Sequence, residues 1–220
     1  KYPRIDKQLI HQYHEGLIAT TCCLGALVPQ TILQKGEEEG ENEFKWWLNI
    51  FQDDYYIELQ RHGIPEQDKV NEALLRFSKK YNVKVIASND SHYVDQKDFN
   101  AHDILLCINT GEKQSTPAIR EFSDDDVSSR NKRFAFPNDQ FFLKTTAEMN
   151  RLFQDLPEAI DNTNEIVGKI DLLDLKRDIL LPYFEVPANF SSQDEYLESL
   201  TWAGARDRYK VLTPESEECL

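Results

Sequence analysis

A chain of 220 residues that is 40% hydrophobic and 29% charged, with 12 Phe, 9 Tyr and 3 Trp, has the composition of a folded domain with a core and not of a disordered segment. Its 25 Lys and Arg against 39 Asp and Glu leave a formal net charge of −14, which argues against a surface that holds nucleic acid by bulk charge alone. No apolar run reaches the ~18–20 residues of a membrane span, and no basic stretch leads into an apolar one at the start, so neither an anchor nor a signal peptide is expected.

The chain opens Lys1-Tyr2-Pro3 and its single methionine is Met149, so residue 1 is not expected to be a translation start and the chain reads as excised from something longer. Residues 17–23 are apolar without interruption, as in a buried strand of a parallel sheet. Phe44, Trp47, Leu48 and Phe51 then fall at i, i+3, i+4 and i+7 of a helix, and the acidic stretch from Glu37 to Glu43 near its start complements the helix dipole. Tyr55-Tyr56-Ile57-Glu58-Leu59 reads as a strand. A second helix fits 66–81, with Val70, Ala73, Leu74, Phe77 and Tyr81 on one stripe, and residues 83–88 form a third strand. Strand, helix, strand, helix, strand is the βαβ rhythm of a parallel α/β fold.

Beyond residue 98 the pattern changes. Phe99, Leu105, Leu106 and Ile108 predict a helix ending near Gly111, and residues 112–140 look irregular. Within them Arg130, Lys132 and Arg133 form the only compact basic cluster, read as a solvated loop, and Asp124-Asp125-Asp126 reads as solvated charge whose side chains need not converge. Thr145-Thr146-Ala147-Glu148 is a capping box. Pro157 opens another helix with Ile160, Thr163, Ile166, Val167 and Ile170 on one face. Residues 179–192 are extended, and Ser192 caps a last helix whose apolar face includes Tyr196, Leu197 and Leu200. The four cysteines, Cys22, Cys23, Cys107 and Cys219, show no disulfide framework, so reduced thiols in a cytosolic protein are expected.

Ligands gather at the carboxyl ends of parallel strands. All three exits carry polar, metal-capable residues: Cys22-Cys23, Glu58 with Gln60-Arg61-His62, and Asn89-Asp90-Ser91-His92. Asp90 and His92, two residues apart, point the same way on an extended segment and can hold one metal. A carboxylate with an imidazole suits zinc, manganese or iron, and Cys23 adds a soft donor from another strand end. Glu58 is a partner for such a site or a buried, paired carboxylate, and His62 is a loop residue near it. His11, His14 and His102 read as structural or solvated. Nucleophilic chemistry at Cys22 or Cys23 stays open, without a Cys/His/Asn signature behind it. No Walker loop, G-x-G-x-x-G or G-x-S-x-G elbow occurs.

Several stretches occur in a telling order: Pro3-Arg4-Ile5-Asp6, Glu15-Gly16-Leu17-Ile18-Ala19, Cys23-Leu24-Gly25-Ala26 and Glu58-Leu59-Gln60-Arg61-His62-Gly63. Ala87-Ser88-Asn89-Asp90-Ser91-His92-Tyr93, Ala101-His102-Asp103-Ile104-Leu105-Leu106-Cys107-Ile108 and Asp155-Leu156-Pro157-Glu158-Ala159 follow. The series resembles the amino-terminal part of the bacterial DNA polymerase III alpha subunit, a C-family replicative polymerase, over nearly the whole chain. The resemblance implies an α/β fold: part of a distorted (β/α)7 barrel of the PHP (polymerase and histidinol phosphatase) type, followed by a mainly helical segment. It divides the chain into 1–110 (later part of the PHP domain), 111–178 (helical extension) and 179–220 (start of the palm region).

On this mapping Cys23, Asp90 and His92 fall on metal-ligand positions, Glu58 and His62 lie nearby, and the family's other ligands precede Lys1. Zn2+ or Mn2+ is implied at the PHP site, and Mg2+ at a polymerase site whose aspartates lie beyond Leu220. The implied partners are DNA, deoxynucleotide triphosphates, the proofreading exonuclease subunit, the sliding clamp and other replisome subunits, in the cytoplasm and without a membrane. The expected function is that of a fragment of a DNA-directed DNA polymerase, inactive by itself. Two rivals stand beside it: a free-standing PHP metal-dependent phosphoesterase, and a non-catalytic docking module for the exonuclease subunit.

Overall fold

The structure, a computed structural model, describes residues 4–119, 132–172, 176, 179 and 182–219. The Asp124–Asp126 run and Arg130 lie outside the described residues. Two compact units divide the chain, Lys1–Asp171 and Leu172–Leu220.

The first unit begins with helix α1 (Lys7–Tyr13), capped by the Asp6 carboxylate accepting from the Leu9 N–H at 2.9 Å. The apolar stretch at 17–23 yields only a short strand, β1 (Ala19–Thr20). Helices α2 (Leu27–Lys35) and α3 (Glu37–Phe51) come next, then β2 (Tyr55–Leu59), α4 (Pro65–Tyr81) and β3 (Val85–Ala87). The three strands form a parallel sheet in the order β1-β2-β3, with Ala19 opposite Tyr55 and Ile57 opposite Val85. Parallel neighbours require helical crossovers, and α2 with α3, then α4, supply them.

The expected periodicities are physically real here. Alternation along β2 sends Tyr55, Ile57 and Leu59 into the main core, where Phe44 of α3 and Val70, Leu74 and Phe77 of α4 meet them. Phe44 and Ile57 are wholly buried, so the stripe read from the sequence is the packing face. Helices α2 and α3 approach closely at Gly40: a Cβ there would stand 2.3 Å from Cγ1 of Ile32. Ion pairs Arg76–Glu37 and Lys80–Glu41 tie α4 to α3.

Helix α5 (Phe99–Thr110) ends as expected at Gly111, which takes a left-handed conformation at φ 72°. Its burial differs from expectation. Leu105 and Ile108 are exposed, and Cys107 is the buried position. A polar pair shares the inward side with Cys107, because Asp103 pairs with Arg133, and Arg133 is itself buried rather than part of a solvated loop. Two short strands, β4 (Ala118–Ile119) and β5 (Arg133–Phe134), pair in parallel within the region expected to be irregular.

Helix α6 (Thr146–Leu152) carries both halves of the capping box between Thr145 and Glu148. Helix α7 (Glu158–Lys169) packs against β3, where Asn162 Nδ2 donates to the Val85 carbonyl at 2.8 Å and so satisfies an edge acceptor of the sheet. In the second unit Ser192 caps α8 (Gln193–Arg208), as expected, but Leu197 and Leu200 are half exposed and the buried residue is Ala205. A short further helix, α9 (Pro214–Glu218), follows. Among the described residues no helix is long and apolar enough to cross a membrane.

Candidate metal centre

The carboxyl ends of β1, β2 and β3 gather the residues singled out in the sequence. After β1 the chain turns at Cys22, a non-glycine residue at φ 60°, and after β3 it turns at Asp90, at φ 48°. Left-handed backbone at such residues costs energy that the surrounding structure must hold in place, and positions of this kind gather at functional sites.

Asp90 and His92 are brought together. Oδ1 of Asp90 lies 3.3 Å from Nε2 of His92, with both side chains about a third exposed (32% and 38%). The backbone around them is clamped. The His92 N–H donates to the Phe141 carbonyl at 2.8 Å, the Leu143 N–H donates to the Tyr93 carbonyl at 3.0 Å, and Tyr93 bridges Phe142 in parallel. The His92 ring packs 4.5 Å from Phe136 and 5.8 Å from His102. Burial, helped by the proximity of His92, lowers the pKa of His102.

Glu58 organises the sheet exits. Its carboxylate accepts from Thr20 Oγ1 of β1 at 2.6 Å, from Gln60 Nε2 at 3.1 Å and from the Ser88 hydroxyl after β3. One carboxylate thus links all three strands, and its acceptor sites face donors of neutral side chains. Cys22, Cys23 and Glu58 line one small pocket with Gln60, Gln67 and Asn71. Cys22 is exposed as a residue, yet burial around its thiol pushes the pKa up; the Cys23 N–H opposes this, and the neighbouring Cys23 and Glu58 push it further up. That environment is the opposite of the one that activates a cysteine nucleophile. All four cysteines are free thiols.

His62 is buried to 1% exposure, and both ring nitrogens are occupied. Nδ1 lies 3.1 Å from the Gln67 amide nitrogen and Nε2 lies 2.7 Å from the Asn89 carbonyl. Gln67 Oε1 accepts from the His62 N–H at 2.7 Å, so the Gln67 NH2 group is the donor to Nδ1. The ring is therefore the neutral tautomer, with its proton on Nε2 donated to Asn89. Burial lowers the His62 pKa, although the Asn89 carbonyl pulls the other way.

Among the described residues, no group of three or more His, Cys, Asp or Glu side chains converges as a metal cage. Asp90 and His92 fit a divalent cation as a two-donor anchor, a carboxylate and an imidazole at one strand exit. Asn89 Oδ1, one residue before Asp90, is buried and has no protein partner. Cys23 belongs to the neighbouring pocket with Glu58. The sequence reading missed Phe141, Asn138 and Gln67. Gln67 alone carried a signal, since it occupies the apolar stripe of α4 one turn before Val70 and yet is polar. Phe141 and Asn138 arrive from far along the chain, where no local pattern marks them.

The parallel α/β sheet agrees with what comparison finds: the PHP domain model matches residues 1–62, a span that includes Cys23, Glu58 and His62 and ends before Asp90 and His92. The chain is also similar nearly end to end to DNA polymerase III alpha subunits. That of Borreliella burgdorferi is 42% identical over 98% of this chain and 18% of the relative, and that of Treponema pallidum is 34% identical over 97% and 17%. That of Thermus aquaticus is 38% identical over 94% of this chain and 16% of the relative. In sequence, then, the chain is a relative of a segment of the DNA polymerase III alpha subunit, and it spans between 16% and 18% of the length of these relatives.

Proposed function

We propose that the whole protein is a DNA polymerase III alpha subunit, a DNA-directed DNA polymerase of replication in the cytoplasm. In this reading 1–110 is the later part of the PHP domain, 111–178 a helical extension and 179–220 the start of the palm region. The strands β1, β2 and β3 are three staves of a distorted (β/α)7 barrel. The observation that carries the reading is similarity to alpha subunits over 98% of the chain, including the residues after 110. A free-standing PHP phosphoesterase leaves those later residues without an explanation.

Within the PHP site, Asp90 and His92 would hold a Zn2+ or Mn2+ ion together with further ligands from outside this chain; Cys23, in the neighbouring pocket with Glu58, would join them only if the β1 exit moved toward that pair. Such an ion, when bound, polarises a phosphoryl oxygen and makes water acidic enough to attack, the chemistry of phosphodiester hydrolysis. The chain's own residues prepare the site. Glu58 fixes the three strand exits relative to one another, and neutral His62 holds the Asn89 carbonyl immediately before Asp90. Magnesium-dependent nucleotidyl transfer belongs to parts of the protein other than this segment. DNA, deoxynucleotide triphosphates, the proofreading exonuclease subunit, the sliding clamp and other replisome subunits are the partners of the whole.

Primer extension tests the reading. The full-length protein, given a primed template, deoxynucleotide triphosphates and Mg2+, extends the primer, whereas the 220-residue segment neither extends nor degrades it. Failure of the full-length protein to extend, or turnover by the segment alone, overturns it.

A further inference from the structure

His62 touches both supports of the Asp90–His92 segment. From one side its Nε2–H donates to the carbonyl of Asn89, the residue before Asp90, at 2.7 Å. From the other its ring stacks on Phe141 with centroids 4.1 Å apart and planes 12° from parallel. Phe141 is the residue whose carbonyl receives the His92 N–H at 2.8 Å. Between these supports Asp90 holds a left-handed backbone at φ 48°, a conformation a non-glycine residue keeps only under constraint.

His62 is itself held firmly. Gln67 fixes both its backbone N–H and its Nδ1, Asn138 Nδ2 donates to its carbonyl at 2.7 Å, and the ring is buried. With both nitrogens engaged it has no lone pair left for a cation, so it is not a ligand. A side chain that is immobile, neutral and in contact with both ends of a strained loop sets the geometry of that loop.

We infer that His62 is a positioning residue for the Asp90–His92 pair: it fixes the spacing of carboxylate and imidazole through the Asn89 carbonyl and the Phe141 ring. Its consequence for metal affinity rests on the metal-site reading above; its effect on the loop does not. Partners that orient ligands typically change metal affinity by about 10–100-fold when removed. Two variants separate the contacts. His62→Phe keeps an aromatic ring for Phe141 but loses the donor to Asn89, and His62→Gln keeps an amide donor near the Nε2 position.

The test uses the full-length protein with two readouts. Amide hydrogen exchange of His92, referenced to the Ile57 amide in β2, reads the loop without any metal. Titration with Co2+, followed by its visible absorption, reads the site. The expected result is faster exchange at His92 with Ile57 unchanged in His62→Phe, a loss of Co2+ affinity of about tenfold with a shifted spectrum, and partial recovery of both in His62→Gln, which restores the donor to Asn89 but not the ring against Phe141. Unchanged His92 exchange in a folded His62→Phe protein overturns the inference, as does equal loss at Ile57, which would mark general destabilisation. If the parent binds no Co2+, the metal-site reading fails, and the His92 exchange result alone upholds or overturns the positioning role.

Discussion

Arg61 and Asp155, ninety-four residues apart in the chain, form a forked ion pair in which Nη1 and Nη2 of the guanidinium face the two carboxylate oxygens. Nη1 also donates to the Leu152 carbonyl at 2.8 Å, and the guanidinium lies 4.6 Å from the centroid of the buried Phe153 ring. The residue just past β2 is thereby fastened to the turn between α6 and α7. Both partners come from stretches that carried the family resemblance.

The pair itself is partly open to water, with Asp155 63% exposed, so its Coulombic contribution is screened. Asp155→Asn is expected to cost no more than about 1 kcal/mol. Arg61→Ala also loses the bond to Leu152 and the packing on Phe153, and is expected to cost about 2 kcal/mol. Urea denaturation of both variants checks the order; equal losses would show that the ion pair, not the packing, dominates.

Arg133 and Asp103 differ, because their side chains are only 8% and 14% exposed. Arg133→Met strands a carboxylate in the interior and is expected to cost about 3 kcal/mol, part of which returns when Asp103→Leu is added. The Arg133 guanidinium, opposed by burial and aided by Gln114, holds the Asp103 carboxyl below the usual aspartate range. A depressed folded-state pKa contributes stability that is fully present above the unfolded value of about pH 4 and is lost as pH falls through the folded value. The stability gap between parent and double variant is therefore expected to shift against the parent below about pH 4, measured by denaturant titration across pH.

Gly40→Ala sets two known effects against each other. Alanine gains about 1 kcal/mol of helix propensity over glycine. Its methyl group, however, would stand 3.2 Å from the Ile32 backbone and closer still to that side chain. Overpacking of this kind costs about 1–3 kcal/mol and cannot be relieved without moving α2 from α3. A net loss of thermal stability is expected; a gain would show that the helices separate freely.

Asn82 ends α4 in a left-handed conformation, φ 54° and ψ 40°. Asn82→Gly is expected to stay within about 0.5 kcal/mol of the parent, whereas Asn82→Val should lose about 1–2 kcal/mol. Melting temperatures of the two variants decide it.

These cases show where the sequence was legible. Helix α4 and strand β2 could be read because each has one buried face, so Val70, Leu74 and Phe77, or Tyr55, Ile57 and Leu59, repeat at the period of their own backbone. Helix α2 was not expected: Pro29 sits in its first turn, where proline is tolerated but reads as punctuation, and Leu27 is exposed rather than on the buried stripe. Helix α5 misled because its long apolar residues face outward while Asp103 pairs with the distant Arg133, a tertiary choice no local pattern records. At the candidate site Asp90 and His92 do come together, but not by the alternation of an extended segment that was expected, because Asp90 is left-handed at φ 48°, and the clamp around them carried no local signal. Phe141 and Asn138 reach it from far along the chain, through a hydrogen bond and a ring contact in the first case and a single hydrogen bond to His62 in the second.

The measurement that bears most directly on the account is the divalent metal content of the full-length protein before and after replacing both Asp90→Asn and His92→Ala. After dialysis against metal-free buffer, elemental analysis should find Zn2+ or Mn2+ bound to the parent and at least one equivalent fewer in the double variant, with its fold intact by circular dichroism. An equal metal content in the two proteins would contradict the assignment of these residues to a metal centre.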